Sequence, residues 1–249
     1  MITEIPATKI PRLKLPEYII DNKLGDITPP FPAYHSFVMF VGKSKSGKSS
    51  LLTALLTHRK LYKKKFENII ICITMHSFTS MAEESNPFLD LDDDKIYHDF
   101  NIDVLDSIYH QVLHYASEKE NTLLIIDDYA SQMKDNNLLR LLLMMVNNRR
   151  HMRLSIWASI QTYKSVPSAL RKTVNVCILF KINNKAEIKS IYDEIILDMT
   201  YDQFIELLNY CFDKPHEYLV VDRDNNTYYK KFNQLIIHNT GNKNKNITI

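Results

Sequence analysis

The stretch SFVMFVGKSKSGKSSLLTALLT, residues 36–57, decides the fold. An apolar run, Phe37–Val41, reads as a buried strand and ends at Gly42. Leu51, Leu52, Leu55 and Leu56 then recur at helical spacing. Between them, Gly42-Lys43-Ser44-Lys45-Ser46-Gly47-Lys48-Ser49 satisfies G-x-x-x-x-G-K-[ST] at every position. A loop of this length between strand and helix folds back so that successive backbone N–H groups point inward, making an anion cradle. The helix behind it adds its positive N-terminal end. The chain has only 4 glycines, Gly25, Gly42, Gly47 and Gly241, and two of them frame this loop. A glycine there permits backbone turns that a Cβ would obstruct. Residues 42–50, including Lys43, Ser44, Lys45, Ser46 and Ser50, are therefore the predicted nucleotide-binding segment. Lys48 is expected to reach the β- and γ-phosphates of ATP, and the Ser49 hydroxyl to ligate Mg²⁺.

Outward from this motif, strand and helix alternate. NIIICIT (68–74), TLLIIDD (122–128), LSIWASIQ (154–161) and VCILFKI (176–182) read as buried strands, with a shorter one near 96–98. Helices are expected from Asp103 to Glu118, with Val104, Ile108, Val112 and Tyr115 on one face, and from Leu138 to Asn148. Such alternation predicts an α/β fold with a mostly parallel central sheet flanked by helices. Beyond it, 185–196 and 201–212 read as a helix pair, and 217–232 as a β-hairpin turning near Asn225. The expected organisation is a proline-containing arm (1–35) and one ATPase domain (36–240), followed by a disordered tail (241–249). Within that domain, 36–182 is the core and 183–240 an extension.

Two further groups belong at the ligand-binding edge of such a sheet. Asp127 and Asp128 end the third strand, where one acid holds Mg²⁺ through water and its neighbour polarises the attacking water. Asp127 is assigned to the metal and Asp128 to the water. Gln161 ends the next strand, where a carboxamide senses the γ-phosphate. Arg149, Arg150 and Arg171 are candidates for an arginine supplied to a neighbouring subunit's phosphates. The acid pair, and the strand and helix between it and the phosphate loop, favour the additional-strand, RecA-like type of P-loop protein over a small-molecule kinase.

At 45% hydrophobic, 24% charged and net charge +2, the composition excludes a disordered chain and demands no polyanionic partner. The lysines of KLYKKKFEN (60–68), interleaved with Tyr62 and Phe66, are either a solvated helix end or a contact for DNA phosphates. Cys72, Cys177 and Cys211 form no paired motif and read as reduced core thiols. No apolar run is long enough to span a bilayer, and the first 20 residues lack a signal peptide's apolar block, so neither membrane insertion nor secretion is expected. The histidines show no recurring metal spacing.

In its order of P-loop, LLIIDD strand, NNRRH segment and SIQTYKSVPSALR stretch, the chain resembles the genome-packaging ATPases of large nucleocytoplasmic DNA viruses and their virophages, within the FtsK–HerA superfamily. The resemblance covers roughly residues 35–182. It implies a homo-oligomeric ring, a hexamer, with ATP between subunits and double-stranded DNA in the pore, and capsid proteins as further partners. It places the protein in the virion or a cytoplasmic virus factory. Lys48, Ser49, Asp127, Asp128 and Gln161 match the family's nucleotide site, and Arg149 or Arg150 the trans-acting arginine, with Arg171 second. Aspartate at 128 departs from the glutamate more common in such motors. A helicase- or recombinase-like ATPase, a metabolite kinase and a nucleotide-binding switch that does not hydrolyse remain alternatives.

Overall fold

The computed structural model describes residue 27, residues 29–79 and residues 86–237. Most of the expected arm, residues 80–85 and the whole expected tail lie outside the described residues.

The elements follow in chain order: β1 (Phe37–Val41), α1 (Lys48–Thr57), β2 (Asn68–Ile73), α2 (Met75–Thr79), β3 (Ile96–Tyr97), α3 (Ile102–Ser117), β4 (Thr122–Asp127), α4 (Asn136–Asn148), β5 (Leu154–Ile160), α5 (Ser168–Arg171), β6 (Val176–Phe180), α6 (Lys185–Ile195), α7 (Tyr201–Cys211), β7 (Tyr218–Asp222), β8 (Thr227–Lys230) and β9 (Asn233–Leu235). The longer helices start at side-chain caps that the sequence supplies. Asn101 accepts from Val104 N at 3.0 Å before α3, and Asp135 accepts from Leu138 N at 2.9 Å before α4. Thr200 and Gln203 form a reciprocal capping box on α7.

All nine strands form one sheet in the order β3-β2-β4-β5-β1-β6-β7-β8-β9. β3 through β6 run parallel, and β7 to β9 continue antiparallel. The expected hairpin is present with its turn at residues 223–226, but it is no appendage, because β7 pairs along the whole of β6. β5 stands between β1 and β4. That is the additional-strand arrangement, and it makes the fold that of a P-loop ATPase.

Period-two alternation sends Phe37, Met39 and Val41 of β1 to one face and Val38 and Phe40 to the other. The first face is covered by α3, α4, α6 and α7, and the second by α1 and the segment leading into β2. Both faces are filled, which is why the parallel strands read as continuous apolar runs. On α3 the side chains buried deepest are Leu105, Ile108 and Val112, with Val104 and Tyr115 packed at the margin. Tyr62 and Phe66 are not a nucleic-acid contact. Both are buried beside Trp157, Tyr62 edge-on to it at 4.9 Å between centroids, while Lys60, Lys63 and Lys64 stay exposed. Cys72, Cys177 and Cys211 are free and buried. No helix among the described residues is long and apolar enough to cross a membrane.

Trp157 is 1% exposed and touches Phe40, Tyr62 and Phe66 at once. Trp157→Ala is expected to cost about 3–5 kcal/mol in urea unfolding, and a loss under about 1 kcal/mol would contradict this packing.

Candidate nucleotide site

The phosphate loop leaves β1 under tight steric control. Gly42 N donates to Ile160 O of β5 at 3.1 Å. A Cβ at Gly42 would fall 2.7 Å from Phe180 Cβ and 2.7 Å from Ser46 Oγ, so any other residue would force β6 or the loop to shift. Lys45 and Gly47 turn through left-handed backbone, at φ 63° and 106°, and Gly47 caps α1. The loop thereby curls over a cleft of about 180 Å³ lined by residues 44–50, Ser77, Asp127, Asp128 and Gln161. Of the predicted nucleotide-binding residues, Gly42 and Lys43 do not line it. Their carbonyls instead hold Lys48, whose Nζ donates to Gly42 O at 2.6 Å and to Lys43 O at 3.2 Å.

Three adjacent strands bring the polar groups to one edge. The parallel register sets Ile73, Asp127 and Ser159 level across β2, β4 and β5. Asp128 N donates to Ser159 O at 2.8 Å, one residue beyond the strand. Its backbone then turns left-handed at φ 65°, a conformation aspartate tolerates better than most residues. The turn swings its carboxylate to Gln161, whose Nε2 donates to Asp128 Oδ2. Two residues that are 33 positions apart in sequence are thus directly bonded. Burial pushes the Asp127 carboxyl above the ordinary aspartate value, the Asp128 charge adds to this, and the Lys48 ammonium opposes it. Burial likewise pulls the Lys48 ammonium below its usual value, against the attraction of Asp127 and Asp128.

Ser77 escaped the sequence reading. It follows β2 on the short helix α2, too short for periodicity to mark, where its N donates to Thr74 Oγ1 at 3.2 Å. The visible signal was a hydroxyl pair, Thr74 and Ser77, at the end of a buried strand.

The arginines lie elsewhere, and none lines the cleft. Arg149 and Arg150 precede β5, at the end opposite Gln161. Across the strand this is roughly 20 Å. Arg149 Nε donates to His35 O at 2.7 Å and its Nη1 to Val146 O at 2.8 Å, while Arg150 is exposed. Neither reaches the cleft of its own chain. Arg171, the third trans-acting candidate, is engaged internally. Its Nε and Nη2 donate to both oxygens of Glu194 at 2.8 and 2.7 Å, and Nη1 donates to Val166 O at 2.6 Å. Tyr163, under the guanidinium, donates to the same carboxylate at 3.0 Å. Arg171 fastens α5 to α6.

With this geometry in hand, relatives can be compared. The family model described as the poxvirus A32 protein matches residues 33–223. The chain belongs to that family. The match takes in α6, α7 and β7, beyond the residues 35–182 that carried the resemblance. The resemblance to packaging ATPases of large DNA viruses holds. No curated protein matches the chain by sequence. Among solved structures, B204, the DNA-packaging ATPase from Sulfolobus turreted icosahedral virus, has a TM-score of 0.61 at 18% identity, covering 82% of this chain and 99% of that one. The genome-packaging NTPase B204 from Sulfolobus turreted icosahedral virus 2, in complex with ATP-gammaS, has a TM-score of 0.59 at 17% identity over 81% of this chain and 98% of its own. ATPases 2 and 3 of EssC from Geobacillus thermodenitrificans reach 0.54 at 11% identity, over 80% of this chain and 40% of that one. At these identities the shared property is the fold.

Arg171 holds the Glu194 carboxyl below the ordinary glutamate range. A carboxyl so depressed stabilises the fold above its unfolded value, and the contribution is lost as pH falls through the depressed one. Glu194→Gln is therefore expected to lower the melting temperature at pH 7, with the deficit shrinking as the pH drops below about 4. A pH-independent deficit would mean that the ion pair contributes nothing.

Proposed function

We propose that this protein is a Mg²⁺-dependent ATPase that uses hydrolysis to translocate double-stranded DNA, packaging a viral genome as a homo-oligomeric, hexameric ring. The observation that carries the reading is the convergence of Lys48, Asp127, Asp128 and Gln161 on one cleft under a complete phosphate loop. Family membership and the shared fold of viral packaging NTPases support it.

The residues divide the chemistry as follows. Backbone N–H groups of the loop and the start of α1 bind the phosphates, and Lys48 exchanges its carbonyl partners for phosphate oxygens. Ser49 and Asp127 suit Mg²⁺: both present hard oxygens to the cleft, and Asp127 is a buried carboxyl beside a second acid. The ion would neutralise charge on the phosphates. Asp128, aligned by Gln161, orients water for in-line attack and draws its proton. Loss of the γ-phosphate alters the Asp128–Gln161 bond, and that change at the end of β5 is the signal passed to the rest of the chain. Arg149 and Arg150, at the edge far from their own cleft, are the arginines assigned here to a neighbouring subunit's cleft, as the family resemblance implies. β5 between β1 and β4 argues against a metabolite kinase.

ATPase rate with and without long double-stranded DNA, alongside particle mass by light scattering, tests the reading. DNA-stimulated hydrolysis by a ring is expected, and strand displacement in place of duplex translocation would point to a helicase. Asp128→Asn should lower kcat by roughly 10²–10⁴-fold. Arg149→Ala or Arg150→Ala should lower it by about 10³-fold or more. Mixing that arginine variant with Lys48→Ala should restore part of the activity, since each supplies what the other lacks. Failure of both arginine variants to be rescued would remove the trans assignment.

A further inference from the structure

His216 lies 170 residues from the phosphate loop in sequence and touches it in space, its Nδ1 3.2 Å from Ser46 O. A carbonyl only accepts, so Nδ1 carries the proton. The contact is built from behind. β7 pairs with β6 so that Tyr218 stands beside Phe180, and the turn entering β7 therefore emerges at the sheet edge that bears the phosphate loop. Both flanks of that turn are pinned to the end of β8. Lys230 pairs with Asp213 at 2.6 Å and with Glu217 at 3.1 Å, and Lys231 pairs with Glu217 at 3.0 Å. Glu217 is buried, whereas His216 is exposed and held in left-handed backbone at φ 62°.

The bonded carbonyl belongs to the peptide joining Ser46 to Gly47. In a planar trans peptide the N–H points opposite the C=O. Holding Ser46 O toward His216 therefore aims Gly47 N–H the other way, as a donor of the cradle. Glycine at φ 106° leaves this peptide unusually free to rotate, so an outside tether matters here more than elsewhere in the loop. Phe180 and His216 close the same spot, since a Cβ on Gly47 would lie 3.4 Å from His216 Nδ1 and 3.5 Å from the Phe180 ring.

We propose that His216 is a positioning residue for nucleotide binding, through which the C-terminal extension locks the Ser46–Gly47 peptide in its phosphate-binding orientation. The proposal rests on the cleft being the triphosphate site. The test is the steady-state KM and kcat for ATP of the full chain carrying His216→Ala, His216→Gln or His216→Asn. An asparagine amide nitrogen falls where Nδ1 does and tolerates left-handed backbone, while that of glutamine lies one bond further out. Ala and Gln variants should raise KM about fivefold with kcat within about twofold, and Asn should restore KM to within about twofold of the parent. Asn as impaired as Gln, no change in any variant, or a parallel fall in kcat would overturn it. Should the Ala variant fail to fold, the Asn–Gln pair carries the same comparison. A Lys48→Ala control separates the two claims. Unchanged nucleotide affinity there would sink the cleft itself, whereas lost affinity beside a flat His216 series would sink the tether alone.

Discussion

The site depends on one strand being bonded on both sides. β5 pairs with β1 and with β4 in parallel register, and at its end Ile160 O receives Gly42 N while Ser159 O receives Asp128 N. Those two hydrogen bonds fix the take-off points of the phosphate loop and of the acid pair relative to each other. Gln161, the residue just past the end of that strand, lines the same cleft. A slip of the β4–β5 register would reverse which face each side chain meets and separate Asp128 from Gln161.

Around this frame the chain accepts local cost. Lys48 and Asp127 are both buried, and burial moves the first down and the second up from their ordinary values. Lys45, Asp128 and His216 occupy left-handed backbone that side chains generally avoid. Such features persist where surrounding structure over-determines them. The Arg171–Glu194 pair shows the opposite case, in which both partners find charge-assisted bonds and the result is a fastener between helices.

Much of this was legible in the residues. The phosphate loop, the five buried parallel strands and the placement of Asp127, Asp128 and Gln161 at one edge followed from apolar run lengths and from where polar groups ended those runs. Three things were not legible. Ser77 sits on a helix of five residues, below the length at which periodicity speaks. Arg171 looked like Arg149 and Arg150 in sequence, because its partner Glu194 is set by how α6 packs on the sheet. His216 was one histidine among nine until the antiparallel pairing of β7 carried it to the phosphate loop. The last two depend on packing between distant elements, which local pattern does not encode.

The central claim is that four side chains from three segments act on one triphosphate. A crystal structure of the protein with Mg²⁺ and a non-hydrolysable ATP analogue tests it most directly. The account predicts Lys48 Nζ on a β- or γ-phosphate oxygen at roughly 2.7–3.2 Å, Asp127 facing the metal, and Asp128 with Gln161 bracketing the water or oxygen beyond the γ-phosphate. A triphosphate bound away from Lys48, or with the Asp128–Gln161 pair turned from its terminal phosphate, would contradict it.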